Sequence, residues 1–148
     1  MFYRSSVWSN TSVTNINKLQ AIQNFGARTV ARSRKFDHIT PILKQLCWMP
    51  VKDHLFYRDA LFTFKCMNGM APPTNLCSRF IKKGTISGRS TRNENKLDIP
   101  RYKTATGQRS FLYRAVTIWN NLPRDIKLSS SMSIFKRKLK NHLLTGRF

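Results

Sequence analysis

The stretch PVKDHLFYRDALFTFKCMNGM, residues 50–70, carries the strongest helix signal in the chain. Its apolar side chains recur along one broad face of an ideal helix, at Leu55, Phe56, Leu61, Phe62 and Cys66. The pair Asn68–Gly69 is typical of a helix C-terminus that is closed by a residue in the left-handed backbone conformation. The two prolines that follow, at 72 and 73, prevent the helix from continuing. The pattern therefore predicts a helix from Val51 to about Met67, which is the best-defined helix of the sequence.

Two helices are predicted before this stretch. Residues 14–35 show amphipathic spacing with a cap at Thr14 or Asn15. The apolar line of this helix comprises Ile16, Leu19, Ile22, Phe25 and Val30. A shorter helix is predicted after Thr40, where a possible cap precedes a proline suited to the first helical position.

Two further helices are predicted in the last third. The segment GQRSFLYRAVTIWNNLP, residues 107–123, is typical of a helix that ends near Asn120. The final helix begins after Ser131 or Ser133, either of which can cap it. It carries Phe135, Leu139 and Leu143 at steps of four, which predicts one buried stripe beneath a basic surface.

The segment between these pairs of helices is polar and basic. Residues 84–107 are rich in Gly, Ser and Thr, and their apolar side chains are concentrated at Leu97 and Ile99, followed by Tyr102. We predict a flexible basic arm there, holding a short strand or hairpin. The predicted fold is mainly α: a small helical domain of about five to six helices, with a basic loop or short β-hairpin between two halves. Residues 1–148 are expected to form a single region, with a helical half at 15–83, the arm at 84–107 and a second helical half at 108–144.

The charge balance identifies a class of partner. The chain has 27 basic residues and 6 acidic ones, for a net charge of +21, while 41% of its residues are hydrophobic. That hydrophobic share predicts a real core, and the charge favours an anionic partner, most commonly nucleic acid and secondly an anionic membrane surface. Residues 101–148 hold eleven basic residues against one acidic residue, so the main electrostatic contact is expected there.

No catalytic or metal centre is predicted. No two of the six carboxylates are adjacent, and Asp53 and Asp59 fall on different sides of an ideal helix. We expect the acids to cap helices or to pair with cations, and we expect no metal site and no cofactor, since neither C-x-x-C nor H-x-x-x-H occurs. The three cysteines, Cys47, Cys66 and Cys77, are expected to be buried thiols in a reducing compartment. No signal core or bilayer-length apolar run occurs, so we expect an intracellular protein, nuclear or cytoplasmic, and not secreted.

Four segments occur in an order that resembles a known family. They are LQAIQNFGARTV, RKFDHITPILKQLCWMPVKDHLFYRDALFTFKCMNGMAPP, TGQRSFLYRAVTIWNNLP and SIFKRKLKNHL. Together they resemble the carboxy-terminal region of reverse transcriptases from LINE-type (non-LTR) retrotransposons, of the jockey-like and chicken-repeat-like lineages. The resemblance covers roughly residues 3–144, and its most specific parts are WMPV (48–51), NGMAP (68–72) and WNNLP (119–123). The chain departs from the common pattern at Gly26, Cys47 and Met49.

The resemblance implies a fragment that follows the polymerase domain of a longer polypeptide. The polymerase's catalytic Asp-Asp pair would lie upstream of this region. This agrees with the sequence, in which no two of the six carboxylates are adjacent. We therefore predict a non-catalytic segment that contacts the phosphate backbone of template RNA or target DNA and the upstream polymerase domain, without a membrane partner and with an oligomeric state left open. Two alternatives are a scaffold segment that completes the parent polymerase fold and an independent basic protein of chromatin or ribosomal type.

The residues expected to bind nucleic acid lie in the arm and in the final helix. They are Lys82, Lys83, Arg89, Arg92, Arg101, Tyr102, Lys103 and Arg109 in and beside the arm, and Lys136, Arg137, Lys138 and Lys140 in the final helix. Tyr102 stands between two cations in a polar loop, a combination used for stacking on single-stranded bases, although a plain strand residue is the alternative.

Overall fold

The computed structural model describes residues 5–71, 75–87 and 96–145. Within these ranges the fold is mainly α, which confirms the predicted class, and no β-strand is present there. The helices in chain order are α1 (Ser5–Trp8), α2 (Val13–Ala31), α3 (Ile39–Gln45), α4 (Val51–Met67), α5 (Lys83–Ser87), α6 (Ala105–Gln108), α7 (Phe111–Asn121), α8 (Arg124–Lys127) and α9 (Met132–Thr145). A 3₁₀ turn at Cys77–Arg79 precedes α5.

Helix α4 is the central helix of the molecule. It packs against α1, α2, α7 and α9, and its bounds are those predicted from residues 50–70. Gly69 adopts φ +65°, and the N–H of Met70 donates to the carbonyl of Lys65 at 2.9 Å, which closes the helix in a Schellman-type end. Because helices surround α4, its buried residues are distributed around the helix, at Val51, Asp53, Leu55, Asp59, Ala60, Thr63 and Phe64.

One hydrophobic core joins the two predicted helical halves. Phe64 of α4 stacks on Phe135 of α9 with ring centroids 4.1 Å apart, and Trp119 of α7 lies 6.3 Å from Phe135. Phe135, Leu139 and Leu143 are all buried, as the spacing of the final helix predicted. The basic surface of α9 is therefore the outer side of a helix that packs into the core.

Helix α2 buries only part of the face that was predicted. Ile16 and Leu19 are half-buried, whereas Ile22, Phe25 and Val30 are 63%, 75% and 60% exposed. The fully buried residue of the helix is the small Ala27, and two glutamine side chains bind the start of α4. Gln20 Oε1 accepts from the N–H of Val51 at 2.8 Å, and Gln23 Nε2 donates to the Met49 carbonyl at 2.9 Å. The predicted cap is also wrong, since Ser12 rather than Thr14 or Asn15 caps the helix through the N–H of Asn15.

The predicted arm is anchored to the core at Leu97. Leu97 is fully buried, and the Asn120 side chain holds both of its backbone groups: Oδ1 accepts from the Leu97 N–H at 2.8 Å and Nδ2 donates to the Leu97 carbonyl at 2.9 Å. The strand expected around Leu97 is reduced to a single antiparallel bridge with Lys82. The predicted hairpin is therefore wrong for the described part of the arm, whereas residues 96–104 form the predicted loop, with α5 and α6 at the two ends of the arm; residues 88–95 lie outside the described ranges.

The cysteines differ from the prediction. Cys66, at the end of α4, and Cys77, in the 3₁₀ turn, are joined by a disulfide with their Cα atoms 5.1 Å apart. Cys47 is an exposed free thiol. The periodicity of α4 placed Cys66 on an apolar face, but it carried no information on the return of the chain that brings Cys77 beside it.

One acidic residue has the role that was expected of it, pairing with a cation, and a second stabilises a turn. Asp59 is buried in α4 and forms an ion pair with Arg114 of α7 at 3.2 Å. The same guanidinium donates to Ser9 Oγ at 2.7 Å and to the Arg109 carbonyl at 2.6 Å. Asp37 accepts from the backbone N–H of Arg34 at 2.7 Å. Asp59 and Arg114 thus tie the two helical halves together, and Ser9 adds the segment after α1.

Candidate nucleic-acid interface

The four predicted cations of α9 are all exposed. Lys136, Arg137, Lys138 and Lys140 lie outside the stripe formed by Phe135, Leu139 and Leu143. The sequence produces this arrangement because the apolar residues recur at steps of four and the cations occupy the positions between them. The helix can therefore present its charge to phosphates while its other side remains in the core.

Helix α8 connects α9 with the arm. The Lys138 ammonium donates to the backbone carbonyl of Asp125 in α8 at 3.0 Å. Two cations of α8, Arg124 and Lys127, line a cavity together with Lys82 and Lys96 from the arm segment. The predicted arm and the predicted basic helix are consequently neighbours across α8, which the sequence interpretation had not assigned to the interface.

The predicted cations of the arm that the structure describes are not gathered at one place. Lys82 lines the cavity, whereas Lys83 is half-buried at the start of α5 and donates its backbone N–H to the Lys96 carbonyl at 2.8 Å. Arg101 and Lys103 are exposed in the segment before α6. Arg109 is exposed near the Asp59–Arg114 ion pair. The two remaining predicted residues, Arg89 and Arg92, lie outside the described residues.

Tyr102 has a packing role in the fold. It is half-buried, and its ring lies 6.3 Å from that of Tyr113 at a 55° tilt. A Cβ added at Gly107 would lie 2.7 Å from Tyr102 Cβ, so the side chain is held against a glycine of α6. The segment is not a strand, and packing against α6 leaves Tyr102 less available for stacking on a base than a free loop residue would be.

The cavity beside α8 brings together four cations. Lys82, Lys96, Arg124 and Lys127 line it, Trp119 and Leu122 form part of its apolar wall, and its volume is about 440 Å³. Among the described residues no carboxylate lines it. Burial and the neighbouring charge of Lys96 both lower the pKa of Lys127, with burial the larger cause.

Asn120 organises this cavity. Its side chain clamps Leu97, the neighbour of Lys96, and its backbone carbonyl accepts from the Lys127 ammonium at 3.1 Å. One residue at the end of α7 thus fixes cations from two separate segments. The sequence indicated this position only as part of the WNNLP motif, and Lys96, Arg124 and Lys127 were missed because their proximity depends on the return of the arm to α7.

Other kinds of site find no support within the residues described. Over those ranges there is no group of three or more His, Cys, Asp or Glu side chains placed to hold a metal ion. No described helix is long and apolar enough to cross a membrane. The chain matches no protein-family model, no curated protein sequence and no solved structure. The observations that bear on function are therefore the four segments quoted above and the geometry of the basic surface.

Proposed function

We propose that this chain is a non-catalytic nucleic-acid-binding module, the carboxy-terminal region of a non-LTR retrotransposon reverse transcriptase. Its proposed ligand is the phosphate backbone of template RNA or target DNA, and its proposed protein partner is the upstream polymerase domain. Its proposed location is nuclear or cytoplasmic. The resemblance of the quoted segments supports the family, and the positions of the cations support the mode of binding.

The observation that carries the proposal is the contact between α9 and α8. Lys138 reaches the Asp125 carbonyl, so this cation of α9 lies beside α8, whose Arg124 and Lys127 line the cavity together with Lys82 and Lys96. A neighbouring set of cations can neutralise several consecutive phosphates and release their counterions, which gives binding that depends steeply on salt and little on sequence.

Two motifs of the proposed family have physical roles in this fold. In WNNLP, Asn120 clamps Leu97 and thereby holds the arm against α7. In WMPV, the backbone of Met49 and of Val51 is bound by Gln23 and Gln20 of α2. Residues with such specific hydrogen bonds are costly to replace, since each substitution leaves a partly buried backbone group without its partner.

The test is a charge-removal experiment on α9. Lys136→Gln, Arg137→Gln and Lys140→Gln combined should weaken binding to a single-stranded RNA or DNA oligonucleotide. The plot of log affinity against log salt should become shallower by about 2, the value expected for three lost phosphate contacts on a single strand. Glutamine keeps a helix propensity close to that of Lys and Arg, so α9 should stay folded.

A matched control removes the same charge elsewhere. Lys18→Gln, Lys52→Gln and Lys65→Gln combined lower the net charge equally, at exposed positions of α2 and α4. This variant should keep most of the affinity and of the salt slope. Equal losses for the two variants would mean that the charge acts only diffusely, and no binding at low salt by the unaltered protein would refute the proposal.

A second candidate function is the scaffold role. The exposed line of Ile22, Phe25 and Val30 on α2 is an apolar surface that a second domain could cover. In that role the helices complete a larger fold and the charge is incidental. Self-association of the isolated chain through α2 would favour this candidate over a function in nucleic-acid binding alone.

A further inference from the structure

The cavity beside α8 is lined by four cations that the fold brings together from separate parts of the chain. Lys82, Lys96, Arg124 and Lys127 come from two separate segments of the chain, and Asn120 fixes the position of both. Its volume of about 440 Å³ lies within the range of roughly 300–1,000 Å³ that is usual for small-molecule pockets. A cluster of surface lysines along one helix would lack the shared anchor that Asn120 provides.

The charge pattern favours a particular kind of anion. An internal phosphodiester brings one negative charge per nucleotide, whereas a terminal phosphomonoester carries about 1.5 to 2 at neutral pH and an oligophosphate carries more. Four cations around one cavity repel each other, and they are best neutralised by several charges concentrated at one point. The pKa of Lys127 is lowered chiefly by burial and secondarily by the charge of Lys96.

The wall of the cavity is suited to the rest of such a ligand. Trp119 and Leu122 lie beside the cations, so an apolar surface borders the charged one. A nucleotide has a comparable division between a charged phosphate end and a base whose flat faces stack on apolar or aromatic side chains. The cavity thus combines the two surfaces that a phosphorylated nucleotide presents.

We infer that the cavity lined by Lys82, Lys96, Arg124 and Lys127 binds clustered phosphates, either the phosphorylated end of a nucleic-acid strand or a free nucleoside oligophosphate. This inference rests on the proposed function, because it assigns an end-binding role to part of the proposed interface. It adds a preference for a phosphorylated strand end. Binding to the phosphate backbone alone does not produce that preference, because the backbone phosphates are the same along the whole strand.

The first experiment compares three probes by calorimetry or competition. They are a 5′-phosphorylated oligonucleotide, the same oligonucleotide with a 5′-hydroxyl, and inorganic triphosphate or ATP. The phosphorylated strand should bind about tenfold more tightly than the hydroxyl strand, the ratio that one added charge-assisted hydrogen bond produces. Triphosphate should compete with the phosphorylated strand. If ATP binds but the two strands do not differ, the free nucleotide is the ligand.

The second experiment removes the cavity charge. Lys96→Gln combined with Arg124→Gln should abolish the tenfold preference: the phosphorylated and hydroxyl strands should bind this variant equally, while both lose the affinity that these two cations give to backbone binding. Both positions are exposed, so the fold should tolerate the change. Lys18→Gln combined with Lys65→Gln removes equal charge from α2 and α4 and should keep the preference.

The outcomes separate this inference from the proposed function. If strands bind at low salt but show no preference, and triphosphate and ATP do not bind, the inference is overturned and backbone binding stands. If no strand binds while triphosphate binds and the cavity variant loses it, the proposed function fails and the phosphate site stands. A preference that survives in the cavity variant would also overturn the inference, because the end would then be bound elsewhere.

Discussion

At the scale of single residues, the contact between α4 and α7 contains a charged pair among apolar side chains. Asp59 is only 3% exposed through its side chain, and its partner Arg114 is 20% exposed. Sequence reasoning anticipated that the acids would pair with cations. It could not identify Arg114 among 27 basic residues, because the pairing spans 55 positions and depends on how α7 packs on α4.

The first prediction concerns this ion pair. Asp59→Asn keeps the size of the side chain but leaves the Arg114 guanidinium without its opposite charge. We expect the free energy of unfolding to fall by about 3 kcal/mol, because removing one partner of a buried pair strands the other. Urea denaturation followed by circular dichroism measures the change.

The control for this prediction is an exposed acid. Asp98→Asn lies at an exposed position of the arm and should alter the free energy of unfolding by no more than about 0.5 kcal/mol. A similarly small effect of Asp59→Asn would show that the Arg114 guanidinium is satisfied by Ser9 and by the Arg109 carbonyl without the carboxylate.

At the scale of elements, sequence pattern predicted the bounds of α4 but not the buried face of α2. The bounds of α4 follow from its own sequence, because Gly69 and the prolines beyond it end the helix whatever it packs against. The orientation of α2 depends on its neighbours. Gln20 and Gln23 hold the backbone at the start of α4, and these polar contacts turn Phe25 outward.

The second prediction uses two glycines in these helices. Gly69→Ala places a Cβ at φ +65° and should lower the free energy of unfolding by about 1–2 kcal/mol. Gly26→Ala lies in the middle of α2, where an added Cβ meets no atom within 4 Å, and should raise it by about 1 kcal/mol. The same substitution thus has opposite signs at the two sites. Thermal or urea unfolding of both variants measures this, and equal signs would contradict the assigned helix end.

The basic elements show a similar division. The exposed cations of α9 could be predicted, since its apolar stripe and its charges alternate within one helix. The cavity could not, because Lys96 and Lys127 are 31 positions apart in the sequence and meet only through Asn120. An asparagine that makes two hydrogen bonds to a buried leucine has no local signature beyond its place in WNNLP.

At the scale of the whole molecule, charge and apolar exposure act in opposite directions. A net charge of +21 keeps copies of the chain apart at low salt, while exposed apolar side chains on α2 favour association. Salt screens the repulsion between charges, with a screening length of about 10 Å at 0.1 M that becomes shorter at higher salt. Salt does not remove the attraction between apolar surfaces. Association should therefore increase with salt, whereas binding to nucleic acid decreases.

The third prediction tests that opposition and the scaffold role together. Ile22→Gln combined with Phe25→Gln replaces two exposed apolar side chains of α2 with a residue of good helix propensity. At high salt and free of nucleic acid, the unaltered chain should form larger species in sedimentation velocity runs, and this variant should remain monomeric. Ile86→Gln combined with Leu128→Gln is the control, because both are exposed apolar residues outside α2; it should associate like the unaltered chain. If the unaltered chain is monomeric at every salt concentration, the apolar line of α2 does not self-associate and the scaffold role loses the observation that favours it.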